Sequence, residues 1–89
     1  MKIGVIGTGY VGIVTAAGLA EFGHRVIATD KDAEKIAKCG RGIAPLYEPG
    51  LDELLHRHLE NGRLTFTADV DWAIRESDVV FVCVGTPQD

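Results

Sequence analysis

Short apolar runs alternate with longer amphipathic segments along the whole chain. Four runs are rich in β-branched or aromatic side chains, and they cover residues 2–6, 25–30, 64–67 and 78–84. A run that is apolar at almost every position, rather than at alternate ones, is typical of a strand buried on both faces of a parallel sheet. The pattern therefore predicts four strands, of which the run over 78–84 is the strongest.

Four helices are predicted between these strands, over residues 10–22, 32–39, 51–62 and 70–75. Asp32 and Asp69 are suitable N-caps, because a short acidic side chain accepts hydrogen bonds from the first free N–H groups of a helix. We expect the last helix to bury Trp72 or Ile74 on one side.

The order β-α-β-α-α-β-α-β predicts an α/β fold of βαβ units with right-handed crossovers. We expect a Rossmann-like, doubly wound parallel sheet with strand order 3-2-1-4. That order leaves the fourth strand at an edge without charge or proline to discourage pairing, which favours self-association into a homo-oligomer.

The composition is that of a globular domain and argues against several function classes. Of the 89 residues, 46% are hydrophobic and 25% charged, with a net charge of −4 that offers no basic surface to nucleic acid or to an anionic membrane. No apolar run approaches the roughly 20 residues of a membrane span. Cys39 and Cys83 are too few for a zinc site and predict no obligatory disulfide. We expect a soluble, cytoplasmic protein.

Three glycines form a G-x-G-x-x-G motif between the first strand and the first helix: Gly7, Gly9 and Gly12. In such a motif the first glycine permits a tight turn, the second lets the backbone approach a pyrophosphate, and the third allows close helix–strand packing. Free N–H groups and the helix dipole favour phosphate there. The context predicts a dinucleotide site, and a tight turn that binds nothing is the alternative.

Asp30 ends the second strand at about the 20-residue spacing at which dinucleotide-binding proteins place a ribose-binding carboxylate. A carboxylate repels the 2′-phosphate of NADP, so the sequence favours NAD, although Lys31 and Lys35 weaken that exclusion. The alternative role for Asp30 is to cap the following helix.

The turn Gly85-Thr86-Pro87 follows the fourth strand, next to the point where the strand order reverses and ligands bind. We expect this turn to run beside the cofactor, and a plain strand-ending turn is the alternative.

The histidine pair at 56 and 58 does not predict a metal site. Residues two apart on a helix point in nearly opposite directions, so His56 and His58 cannot share one ion. His58 lies on an apolar stripe with four leucines and is expected to be packed, whereas Arg57 is expected to be solvated and to pair with Glu53. The stripe consists of Leu51, Leu54, Leu55, His58 and Leu59.

Four stretches closely resemble the UDP-glucose/GDP-mannose dehydrogenase family, at residues 1–12, 30–32, 45–51 and 80–87. The Y-E-P-G-L segment is the most specific, because many dehydrogenases share the glycine motif. The resemblance covers the whole chain and about the first fifth of such an enzyme. It implies that residues 1–89 are part of an NAD-binding Rossmann domain, and that the rest of this domain, a dimerisation helix and a UDP-sugar domain lie outside the sequence.

The resemblance also implies a function. The family oxidises the 6-hydroxyl of a nucleotide sugar to a carboxylate in two NAD-dependent steps, through an enzyme-bound thioester. Members that convert UDP-glucose to UDP-glucuronate are the leading interpretation. Enzymes acting on GDP-mannose or a UDP-N-acetylhexosamine, and a non-catalytic NAD-sensing module, remain alternatives.

The cofactor-binding residues that the motif and the resemblance together indicate are Gly7, Gly9, Tyr10, Val11, Gly12, Asp30, Lys35 and Thr86. Neither Cys39 nor Cys83 matches the motif of the family's catalytic cysteine. We therefore predict no catalytic residue among these 89 and no activity from them alone.

Overall fold

The structure, a computed structural model, describes residues 1–44 and 48–83. Its elements are, in chain order, β1 (Lys2–Ile6), α1 (Tyr10–Glu21), β2 (Arg25–Thr29), α2 (Ala33–Gly40), α3 (Leu51–Glu60), β3 (Leu64–Thr67), α4 (Val70–Glu76) and β4 (Val79–Val82). The strands form one parallel sheet in the order β3-β2-β1-β4. The predicted α/β class and strand order are confirmed.

The register of the sheet places the core on one face. Val5 of β1 pairs with Ala28 of β2, and Val26 pairs with Leu64 of β3, and parallel partners point to the same side. These four side chains are buried against α1 and α3. The residues that α1 and α3 add to this cluster are Ile13, Ala16, Ala17, Ala20, Leu51 and Leu55. Three alanines on α1 let the helix lie close to the strands.

A chain of polar side chains with a buried histidine at its centre joins the end of α1 to α3. His58 is 2% exposed, and its Nε2 lies 2.7 Å from Glu21 Oε1. Asn61 Nδ2, which can only donate, lies 3.1 Å from His58 Nδ1, so Nδ1 accepts and Nε2–H donates to Glu21. The predicted packing of His58 is confirmed, and its hydrogen bond contributes most to lowering the pKa of Glu21.

Arg57 pairs with Glu21 rather than with Glu53. Its Nη1 lies 3.3 Å from Glu21 Oε1, on the neighbouring helix. The predicted pair within α3 is wrong because the packing of α1 against α3 places a carboxylate next to both His58 and Arg57.

Helix α4 covers the other face of the sheet through its smallest side chain. Asp69 caps the helix as predicted, accepting from the N–H of Trp72 at 3.0 Å. Ala73 is 1% exposed, whereas Trp72 and Ile74 are 37% and 44% exposed. The expectation that Trp72 or Ile74 is buried is wrong, because close approach of this short helix to the sheet selects alanine and turns its larger neighbours outward.

Strand β4 forms one edge of the sheet and is shorter than the predicted run over 78–84. Asp78 precedes the strand, where its carboxylate accepts from the N–H of Lys2 at 2.9 Å, and residue 84 lies outside the described residues. Three side chains of β4 are exposed: Val79, Phe81 and Val82. Among the described residues, no helix is long and apolar enough to cross a bilayer.

Candidate functional site

The loop between β1 and α1 lies at the carboxyl end of the sheet and is attached to β2. Gly7 has a φ of +106°, which residues with a side chain rarely adopt, and its N–H donates to Thr29 O at 2.8 Å. The first glycine of the motif thus makes the tight turn that the sequence predicts.

The absence of a Cβ has a different consequence at Gly12 than at Gly9. A Cβ on Gly12 would collide with Gly7 O and lie 2.8 Å from Gly7 C, so α1 packs directly on the turn. A Cβ on Gly9 would meet nothing within 4 Å. The space in front of Gly9 is therefore open, as the approach of a ligand to the backbone requires.

The N-terminus of α1 has the features of an anion site. Its N-cap is Gly9, no side chain caps it, and no acidic residue lies in its first turn. By contrast, α2 and α4 are each capped by an aspartate and carry a further acidic residue in the first turn. The first N–H groups of α1, including those of Tyr10 and Val11, thus lack an intrahelical acceptor and stand at the positive end of the dipole. Tyr10 and Val11 are 51% and 60% exposed beside them.

Asp30 is held by the glycine loop and does not cap α2. Its Oδ2 accepts from the N–H and from the hydroxyl of Thr8, each at 2.9 Å, and its Oδ1 accepts from the N–H of Asp32 at 3.0 Å. Asp32 instead caps α2, accepting from the N–H of Lys35 at 3.2 Å. Asp30 therefore lies beside the start of α1, although it is 22 positions from Thr8 in the sequence.

The carboxylate of Asp30 is kept ionised by its partners. Partial burial raises the pKa of Asp30, but the N–H of Asp32, both donors of Thr8 and the charge of Lys35 outweigh burial. The net pKa lies below the usual value, so the group is negative at neutral pH. The charge of Lys35 is the smallest of the influences that lower this pKa.

Thr8 is the site residue that sequence reasoning missed. It is fully buried between two glycines, and both its backbone N–H and its hydroxyl donate to Asp30. The signal in the sequence is a hydroxyl residue inside the glycine motif together with an acid at the end of the next strand. Pattern alone does not show that the two meet.

Two predicted features lie wholly or partly outside the described residues. Thr86 and its turn follow residue 83, and residues 45–47 include the start of the Y-E-P-G-L segment. The described remainder of that segment, from Glu48 to Leu51, lines a groove with Val14 and Gly18 of α1. In the described ranges, no group of three His, Cys, Asp or Glu residues could hold a metal ion.

A glycine turn packed under an uncapped helix, with a carboxylate held beside it at the end of the next strand, defines a dinucleotide-binding βαβ domain. The profile of the UDP-glucose/GDP-mannose dehydrogenase family, NAD binding domain, matches residues 1–89. The chain belongs to this family, and NAD is its cofactor.

Two relatives and one solved structure that bear names of this family are similar to the chain over nearly its whole length. UDP-glucose 6-dehydrogenase YwqF of Bacillus subtilis is 48% identical over 99% of this chain and 20% of its own length. GDP-mannose 6-dehydrogenase of Pseudomonas putida is 48% identical over 98% of this chain and 20% of its own length. The crystal structure of a ternary complex of GDP-mannose dehydrogenase from Pseudomonas aeruginosa superposes with a TM-score of 0.95 at 45% identity, covering 100% of this chain and 20% of that one. The chain thus spans about a fifth of the length of these proteins.

Two glycine-to-alanine substitutions within α1 test the close packing at the site. We expect Gly12→Ala to lower the free energy of unfolding by about 1–3 kcal/mol, because the new Cβ meets backbone that has no room to move. Gly18→Ala is the matched control, since a Cβ there meets nothing within 4 Å. It should raise stability by about 0.5–1 kcal/mol through helix propensity. Urea unfolding measures both, and equal stability of the two variants would contradict the packing described.

Proposed function

We propose that this chain binds the adenosine-diphosphate half of NAD across the glycine loop and Asp30, as part of a nucleotide-sugar dehydrogenase. The observation that carries the proposal is the contact between Thr8 and Asp30. Through it, a fixed negative carboxylate stands next to an uncapped helix N-terminus. The carboxylate suits ribose hydroxyls, and the helix N-terminus suits a pyrophosphate.

The residues of the loop have distinct tasks in this proposal. The N–H groups at the start of α1, among them those of Tyr10, Val11 and Gly12, donate to the pyrophosphate, and the open space at Gly9 admits it. In this proposal Lys35 lies near the adenosine, and Thr86 is a further contact to the cofactor. NAD, when bound, supplies a hydride acceptor.

The hydrogen bonds of Asp30 leave room for the ribose. An ionised carboxylate offers about four acceptor positions, and Thr8 and Asp32 occupy three of them. The remaining position is on Oδ1, where a ribose hydroxyl would donate. A phosphate on the 2′-oxygen would instead meet the negative charge, so this geometry supports NAD over NADP.

Removal of the Asp30 carboxylate tests this assignment. Asp30→Ala should weaken NAD binding roughly 10- to 100-fold, the value of a charge-assisted hydrogen bond, and leave NADP binding unchanged or improved. Glu34→Ala removes an exposed carboxylate from the first turn of α2 and serves as the control. Isothermal titration calorimetry with both nucleotides measures the change. Equal NAD affinity of Asp30→Ala and the parent would refute the ribose assignment.

We further propose that the complete enzyme oxidises UDP-glucose to UDP-glucuronate. The resemblance of the four sequence stretches supports this substrate. The equal identity to relatives named for UDP-glucose and for GDP-mannose keeps GDP-mannose as the second candidate. A UDP-N-acetylhexosamine is the third candidate. The Y-E-P-G-L and G-T-P segments favour an enzyme over an NAD-sensing module. Both cysteines are free, which suits a cytoplasmic location.

We also propose that two copies of the chain associate along β4. The strand is an edge of the described sheet, and its exposed side chains are all apolar: Val79, Phe81 and Val82. A two-fold axis would pair β4 with β4 of the second copy, satisfying the free backbone groups and covering these side chains.

A charged side chain on the edge tests this association. The parent should sediment as a dimer at micromolar concentration, and Val82→Lys should sediment as a monomer, because that side chain is 67% exposed and its replacement spares the core. Phe22→Lys alters an equally apolar, 84% exposed position at the end of α1 and should leave the dimer intact. A parent that stays monomeric in analytical ultracentrifugation at high micromolar concentration would exclude the interface.

A further inference from the structure

The residue between the first two glycines makes an unusual contact for a loop position. Thr8 is 0% exposed, and both its backbone N–H and its Oγ1 lie 2.9 Å from the same oxygen, Oδ2 of Asp30. A tight turn needs neither a hydroxyl nor a carboxylate, so the geometry of the turn does not explain this pair.

We propose that Thr8 is a positioning residue, which fixes the orientation of the Asp30 carboxylate and thereby sets the preference of the site for NAD over NADP. This inference rests on the proposed function, because it assigns to Thr8 a role in ribose recognition at that site.

The contacts of Thr8 and Asp32 restrict the rotation of the Asp30 carboxylate. Two donors from Thr8 converge on Oδ2, and the N–H of Asp32 donates to Oδ1 at 3.0 Å. Turning the carboxyl group about its terminal bond would break the two Thr8 contacts together. The one free acceptor position on Oδ1 therefore has a fixed direction, as selective recognition of a ribose hydroxyl requires.

The hydroxyl of Thr8 restrains the Asp30 carboxylate separately from the backbone N–H. A valine at position 8 has the shape of threonine and keeps the backbone N–H, so the loop stays attached to Asp30 through one hydrogen bond. The carboxylate then loses one of its two restraints on Oδ2 and gains a free acceptor position there. It is able to turn away from a 2′-phosphate, so the penalty against NADP falls.

The hydroxyl also stabilises the charge that repels NADP. It is one of the donors that lower the pKa of Asp30, together with two backbone N–H groups and Lys35 of α2. Other titratable groups near the carboxylate include Lys31 and Asp32 in the same loop and Cys39 of α2. The pKa of Cys39 is itself raised by burial and, to a lesser degree, by Asp30. Loss of the hydroxyl should raise the pKa of Asp30, since a donor to the ionised form is removed.

The test compares Thr8→Val with Thr8→Ser in the 89-residue chain. Thr8→Val should weaken NAD binding roughly 3- to 10-fold, the range of one hydrogen bond, and reduce the ratio of NAD to NADP affinity by a similar factor. Thr8→Ser keeps the hydroxyl and should restore most of both values. Calorimetry with NAD and with NADP gives the ratio, at a temperature at which circular dichroism shows each variant folded.

A second measurement does not depend on the cofactor. The carboxyl carbon of Asp30, followed by NMR as a function of pH, should titrate at higher pH in Thr8→Val than in the parent and in Thr8→Ser. This titration checks that the hydroxyl donates to the carboxylate in solution. A merely structural role for Thr8 would also shift this pKa and the stability of the fold, but it would leave the nucleotide ratio unchanged.

The outcomes separate the two claims. If the parent fails to bind NAD, the proposed function is wrong and this inference falls with it. If the parent binds NAD and Thr8→Val has the same nucleotide ratio, the inference is wrong while the proposed function stands, whether or not the pKa of Asp30 has changed. If Thr8→Ser is as impaired as Thr8→Val, the hydroxyl is not responsible, and the inference is overturned.

Discussion

Helix α1 begins so close to the end of β1 that no side chain fits at Gly12, and the rest of the site depends on this approach. The helix lies directly on the turn at Gly7, whose N–H is thereby held against the end of β2. The same arrangement brings Thr8 to Asp30 and presents the first N–H groups of α1 to the open space at Gly9. In the proposed site, backbone N–H groups and one carboxylate hold the dinucleotide, so a chain of net charge −4 needs no basic side chain to bind a pyrophosphate.

The predictable parts of this structure are those fixed by local pattern. Strand order, the aspartate caps of α2 and α4 and the packing of His58 follow from apolar runs, short acidic side chains and one leucine stripe. Each depends on residues within a few positions of one another or on the general handedness of βαβ units.

The parts that pattern missed depend on contacts between distant elements. Arg57 pairs with Glu21 across two helices, and the burial of Ala73 in place of Trp72 depends on how closely α4 approaches the sheet. The contact of Thr8 with Asp30 belongs to the same class. A spacing rule finds the carboxylate, but only the folded chain shows which residue donates hydrogen bonds to it. These are the positions at which tertiary packing, rather than propensity, decides the outcome.

The central claim is that the start of α1 and the end of β2 together hold one nucleotide. The most direct test is an amide NMR titration of the ¹⁵N-labelled chain with ADP-ribose, which contains the pyrophosphate and the adenosine ribose but no nicotinamide. The account predicts saturable shifts confined to the N–H groups of the glycine loop, the first turn of α1 and the residues around Asp30. Two results would contradict it: shifts that cluster instead at the amino ends of the strands, around Arg25 and Arg63, or the absence of saturable shifts at millimolar ligand.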